Sequence, residues 1–92
     1  MIDTQFKLED VFSIEGRGIV LAGTVLGNQI SIGDELIFDN EKYRISGIEA
    51  KNQMKQIATT GENVGILVAG AELKYNFFKQ RKGQILTFKA NN

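Results

Sequence analysis

The side chains in this chain that could do chemistry are carboxylates, amides, hydroxyls and basic groups, because its 92 residues contain no histidine and no cysteine. A Ser-His or Cys-His nucleophile pair, thiolate chemistry and a standard structural zinc site are therefore all excluded. The carboxylates Glu9-Asp10 and Asp34-Glu35 come as adjacent residues. Neighbours on a strand point to opposite faces, so neither pair is expected to converge on one metal ion or one scissile bond. We expect no catalytic residue, no metal and no cofactor.

Three other groupings could recognise a ligand. Arg17 lies between Gly16 and Gly18, but an apolar strand follows where a dinucleotide fingerprint needs a helix N-terminus, so the glycines read as a bend. Asn63 beside Gly61 could satisfy its own turn or present an amide that both donates and accepts. Phe77 and Phe78 precede the run Lys79-Gln80-Arg81-Lys82. That segment has two readings: a docking platform for nucleic acid or protein, or an apolar plug with solvated cations.

The elements that must position these residues are short and extended. Ten glycines, no proline and apolar runs separated by turn residues read as an all-β domain. Phe6, Leu8, Phe12 and Ile14 fall on alternate positions, the period of a strand with one buried face, with Asp10 the intruder on it. Asp10 is either a ligand-facing carboxylate or an acceptor for backbone N–H groups where the strand bends; without partners its burial would be costly. Residues 19–26 read as a central strand in which Gly23 marks a bend, bulge or close backbone approach. Asp39-Asn40 should close a tight hairpin. Residues 51–60 are expected to be extended, residues 64–69 and 84–89 to be strands, and residues 71–82 to be a short amphipathic helix or an ordered capping loop. The expected product is one domain over residues 1–92, a small closed six- to seven-stranded Greek-key-type β-barrel, because closure removes aggregation-prone edges.

Composition agrees: 42% hydrophobic and 24% charged residues are the proportions of an ordinary globular domain. The N-terminal residues offer no apolar run for a signal peptide or a membrane span, and the lack of cysteine fits a reducing compartment. The expected location is cytoplasmic, without membrane contact. A net charge of zero argues against strong sequence-independent nucleic-acid binding. Residues 1–46 hold four Lys/Arg against eight Asp/Glu, and residues 47–92 hold seven against three, so the charge is either interspersed or gathered into a basic face.

In order, the segments LEDVFSIEGRGIVLAGTVLGNQISIGDEL, SGIE, TGENVGILVAG and KGQIL resemble the second domain of elongation factor Tu and related translational GTPases, over roughly residues 6 to 88. The resemblance implies a stand-alone translation-factor barrel. It implies no GTP binding or hydrolysis by this chain, since that activity needs a separate domain with a GxxxxGK[ST] loop that is absent from this sequence. In the family this barrel lines part of the pocket for the aminoacylated 3′ end of transfer RNA. The resemblance places Glu9, Asp10, Phe12 and Asn63 on the amino-acid side, Glu49 and Leu67 at the terminal adenine, and Arg17 nearby. Asn52 stands where the family has a phosphate-pairing arginine and Ala22 where it has a threonine. The function implied is binding of transfer RNA, ribosomal RNA or a ribosome-associated partner. The rival is a protein-interaction module docking through residues 71–82 with Phe77, Phe78, Lys79, Arg81 and Lys82.

Overall fold

The computed structural model describes residues 3–90. Strand β1, Thr4–Ile14, begins in the expected period, with Phe6 and Leu8 fully buried. A bulge between Leu8 and Asp10 then slips the register against β2, Gly18–Val25. One extra residue inverts the phase of everything after it. Val11 therefore faces the core at 0% exposure, while Phe12 is 47% and Ile14 36% exposed, which corrects the expectation that Phe12 and Ile14 share the buried face. The partner residue at the bulge explains why the slip is possible. A Cβ on Gly23 would lie 1.9 Å from the Lys7 carbonyl oxygen and 2.8 Å from the Phe6 ring, so only glycine admits this backbone approach.

The chain continues through β3 (Gln29–Ser31), β4 (Glu35–Phe38), β5 (Glu41–Ala50), β6 (Gln53–Lys55), β7 (Ile57–Thr59) and β8 (Asn63–Val68), and ends in β9 (Ile85–Lys89). Antiparallel pairing runs β4-β9-β1-β2-β8-β5, and β4 also pairs with β5, so six strands close on themselves. The closed barrel expected from the sequence is thus present with six strands; β6 extends from β5, and β3 pairs separately with β7. Residues 51–60 are extended, as expected. The two shortest hairpins share one turn chemistry. Asp39 and Asn40 (φ 54° and 66°) join β4 to β5, and Lys51 and Asn52 (φ 52° and 64°) join β5 to β6. Two successive residues with positive φ give the turn whose twist matches the strands.

One end of the barrel is plugged by residues 71–82, a 3-10 turn at Glu72–Lys74 followed by the short helix α1, Tyr75–Lys79. Phe78 is fully buried, with its ring edge-on to Phe38 at 5.8 Å and to Tyr43 at 5.7 Å between centroids. Burying such a ring contributes about 1.5–3 kcal/mol. Phe77 packs against the rim, where the Arg81 guanidinium stacks 4.0 Å from its ring centroid.

Candidate functional site

The β1 bulge decides which side chains face outward on the sheet formed by β1, β2, β8 and β5. Register places Phe12 opposite Val20, Val20 opposite Leu67, and Leu67 opposite Gly47. The next row runs from Ala22 to Gly65 to Glu49. Small residues in the middle of that row leave a groove of about 320 Å³, whose lining includes Phe12, Val20, Ala22, Glu49 and Asn63. Gly65 keeps the floor low: a Cβ there would meet Val20 Cγ1 at 3.0 Å. Leu67 lies one row away, half-buried beside Val20.

The polar groups around the groove are paired in specific ways. The Arg17 guanidinium donates to Glu49 Oε2 at 2.9 Å, with both side chains 39% exposed. Glu9 sits at the bulge, where Oε2 accepts from Thr24 Oγ1 at 2.8 Å and Oε1 from Asn63 Nδ2 at 2.9 Å. Asn63 Nδ2 also donates to Thr24 Oγ1 at 3.1 Å. Asn63 is therefore not the group that closes its turn. That role falls to Glu62, which accepts from the Thr59 backbone N–H at 2.7 Å and pairs with Lys55. The Lys55 hydrogen bond, followed by the Thr59 N–H, holds the Glu62 carboxyl down to about 2. At the rim, Asn52 occupies a left-handed turn position, a conformation that suits asparagine better than most side chains.

Asp10 points elsewhere. Its Oδ1 accepts from Lys79 Nζ at 2.7 Å and from the Val11 N–H at 2.8 Å, and Lys82 Nζ stands 3.5 Å away. The Lys79 hydrogen bond first, then the Val11 N–H, lowers its carboxyl to about 2. Of its two readings, the structure matches backbone acceptance, and adds a latch holding α1 to β1. The docking segment is correspondingly committed inward. Phe78 presents no surface, Lys79 and Lys82 serve Asp10, and Arg81 covers Phe77 and donates to its carbonyl oxygen at 3.2 Å. Leu73, by contrast, is 98% exposed.

The groove thus unites Phe12, Glu49 and Asn63 of the expected set, with Arg17 and Glu9 bonded at its border, and excludes Asp10. Sequence reasoning missed Val20 and Gly65 as groove-formers. The one available signal was a glycine inside an apolar strand. No group of carboxylates that could hold a metal occurs among the described residues, and no helix there is long and apolar enough to cross a membrane.

No family model matches the chain. Among solved structures, the crystal structure of bacterial selenocysteine-specific elongation factor EF-Sec is similar, with a TM-score of 0.78 at 18% identity, over 94% of this chain. The present chain spans 14% of that protein's chain. The likeness shows the fold, a translation-factor-type barrel.

Proposed function

We propose that this barrel is a non-catalytic binding module whose groove takes a single-stranded RNA end, that of a transfer RNA or of ribosomal RNA, without GTPase activity in this chain. The observation that supports this reading is the convergence of Phe12, Glu49 and Asn63 on one groove with a floor of Ala22 and Gly65. A flat base can lie against Phe12 and Val20 over a floor without bulky side chains. Stacking of that kind is worth about 1–3 kcal/mol per base. Glu49 can accept from a ribose hydroxyl or an exocyclic amine, and the Asn63 side-chain oxygen accepts no hydrogen bond from the described residues. Arg17 can exchange Glu49 for a phosphate, because exposed ion pairs are held weakly. A protein-docking role for residues 71–82 has less support, since Phe78 and the two lysines are used internally.

The test is fluorescence anisotropy with a labelled single-stranded oligonucleotide ending in CCA. Glu49→Ala and Asn63→Ala should each weaken binding by about tenfold, the scale of one lost polar contact. Affinity unchanged by both substitutions would sink the groove reading.

A further inference from the structure

The cations of this protein divide into two sets. Arg17, Lys55, Lys74, Lys79 and Lys82 are ion-paired with Glu49, Glu62, Glu41 and Asp10, and Arg81 lies over Phe77. The positive excess of the second half of the sequence is largely spent on these contacts. Lys7, Lys42, Arg44, Lys51 and Lys89 are exposed and pair with no carboxylate among the described residues; Lys51 lines the groove, apart from the other four.

These four share the outer surface of β5, β4, β9 and β1. Arg44 lies opposite Glu35, and Glu35 opposite Lys89. In the next row Lys42 faces Ile37 and Ile37 faces Thr87. Lys7 faces Ile85 at the far side. Glu35 is the single carboxylate in these rows, so four cations against one anion leave a net charge of +3. In the closed order β5-β4-β9-β1-β2-β8, β4 stands across from β2 and β9 across from β8. β5 and β1, which carry Lys42, Arg44 and Lys7, also border the groove, so the basic rows start on its two flanks and meet across β4 and β9 on the side turned away from it.

We propose that this β4–β9 face seats the phosphate backbone of an RNA helix, a second contact on the RNA whose single-stranded end the groove takes. The proposal rests on the RNA-binding reading above. Its chemistry favours phosphate over a protein partner. Three of the four cations are lysines, compact charges suited to phosphate oxygens and depleted in protein interfaces. The rows are centred on half-buried Ile37 and Thr87, not on an aromatic anchor. Lys42 and Arg44 lie about 7 Å apart along one strand, and Arg44 and Lys89 are two strand spacings, about 10 Å, apart. That spread lets separate cations reach separate phosphates.

The experiment uses the full chain and two probes: a blunt 20-base-pair RNA duplex, and the CCA-ending oligonucleotide that reports on the groove. Duplex affinity should fall roughly 40- to 150-fold between 50 and 200 mM KCl if three or four phosphates are contacted. The triple variant Lys42→Ala, Arg44→Ala, Lys89→Ala should lose most of that salt dependence and bind the duplex at least tenfold more weakly, with oligonucleotide affinity unchanged. Phe12→Ala should do the reverse, weakening the oligonucleotide and sparing the duplex. Absence of duplex binding by the wild-type protein, or retention of it by the triple variant, overturns the proposal. Binding to vesicles rich in anionic lipid but not to the duplex also overturns it and reassigns the face. Oligonucleotide binding that fails while duplex binding survives rejects the groove and leaves the basic face standing.

Discussion

Asp10 and Lys79 stand 69 residues apart in the chain, yet Lys79 Nζ donates to Asp10 Oδ1 at 2.7 Å and to the Val11 carbonyl oxygen at 3.2 Å. The carboxylate that interrupts the apolar pattern of β1 is thus the point where the barrel holds its plug. Its position next to the bulge makes this possible, because the slipped strand turns Asp10 outward and leaves the Val11 N–H to bond it.

That latch makes stability depend on acid in a defined direction. The folded Asp10 carboxyl titrates at about 2, and so does Glu62 with Lys55 as its main partner. A lowered folded value means that the contribution is fully present above the usual carboxylate range, near 4, and is lost as pH falls through about 2. Asp10→Asn should melt below the wild type at pH 7 and converge with it near pH 2, as followed by circular dichroism. Parallel melting curves at every pH would exclude the latch.

Gly23→Ala should be severe. Its new methyl group would meet a backbone oxygen and a core ring, neither of which can swing aside, so the loss should be about 3 kcal/mol or more. Urea denaturation measures it. Gly27→Ala, where a Cβ meets nothing within 4 Å, is the control and should cost less than about 0.5 kcal/mol.

The buried Tyr43 hydroxyl has no hydrogen-bond partner among the described residues, and burial, then the Glu41 charge, raises its pKa. Tyr43→Phe removes an unpaired polar atom and should leave stability unchanged or raise it by about 1 kcal/mol. The sign at alkaline pH follows from the raised value. The unfolded tyrosine ionises first, so wild-type stability falls as pH rises past the ordinary tyrosine range, and that contribution is absent from the phenylalanine variant. Denaturation midpoints at pH 7 and pH 11 test both statements.

Lys51 and Asn52 both hold positive φ in a two-residue hairpin, where Asn-Gly is the favoured pair. Replacing them by Lys51→Asn with Asn52→Gly should raise stability by about 1 kcal/mol, the scale of the left-handed penalty relieved. A lower thermal midpoint would show that the native side chains contribute contacts of their own.

Phe12 separates folding from recognition. It is 47% exposed, so Phe12→Ala should change the unfolding free energy from urea denaturation by no more than about 0.5 kcal/mol. The same substitution should weaken the CCA-ending oligonucleotide by about tenfold or more through lost stacking. A large stability loss with normal binding would return Phe12 to the core.

The chain's own residue pattern determined the β architecture: turn residues at Asp39-Asn40, a glycine where backbones collide, and apolar runs short enough for a small barrel. These are local signals, carried by φ preferences and by the two-residue period of a strand. Tertiary structure decided the phase of β1 after Leu8, because a bulge depends on the residue across the ladder, and its one mark in the strand itself, Asp10 on the apolar face, was equally consistent with an unbroken period. That one slip exposes Phe12, buries Val11 and frees Asp10 to meet Lys79. Charge followed the same rule. Excess in one half of the sequence indicated a basic segment, but ion pairing between distant residues cancelled much of it and left four cations unpaired around β4 and β9 and Lys51 at the groove, since pairing depends on distance in space and not along the chain.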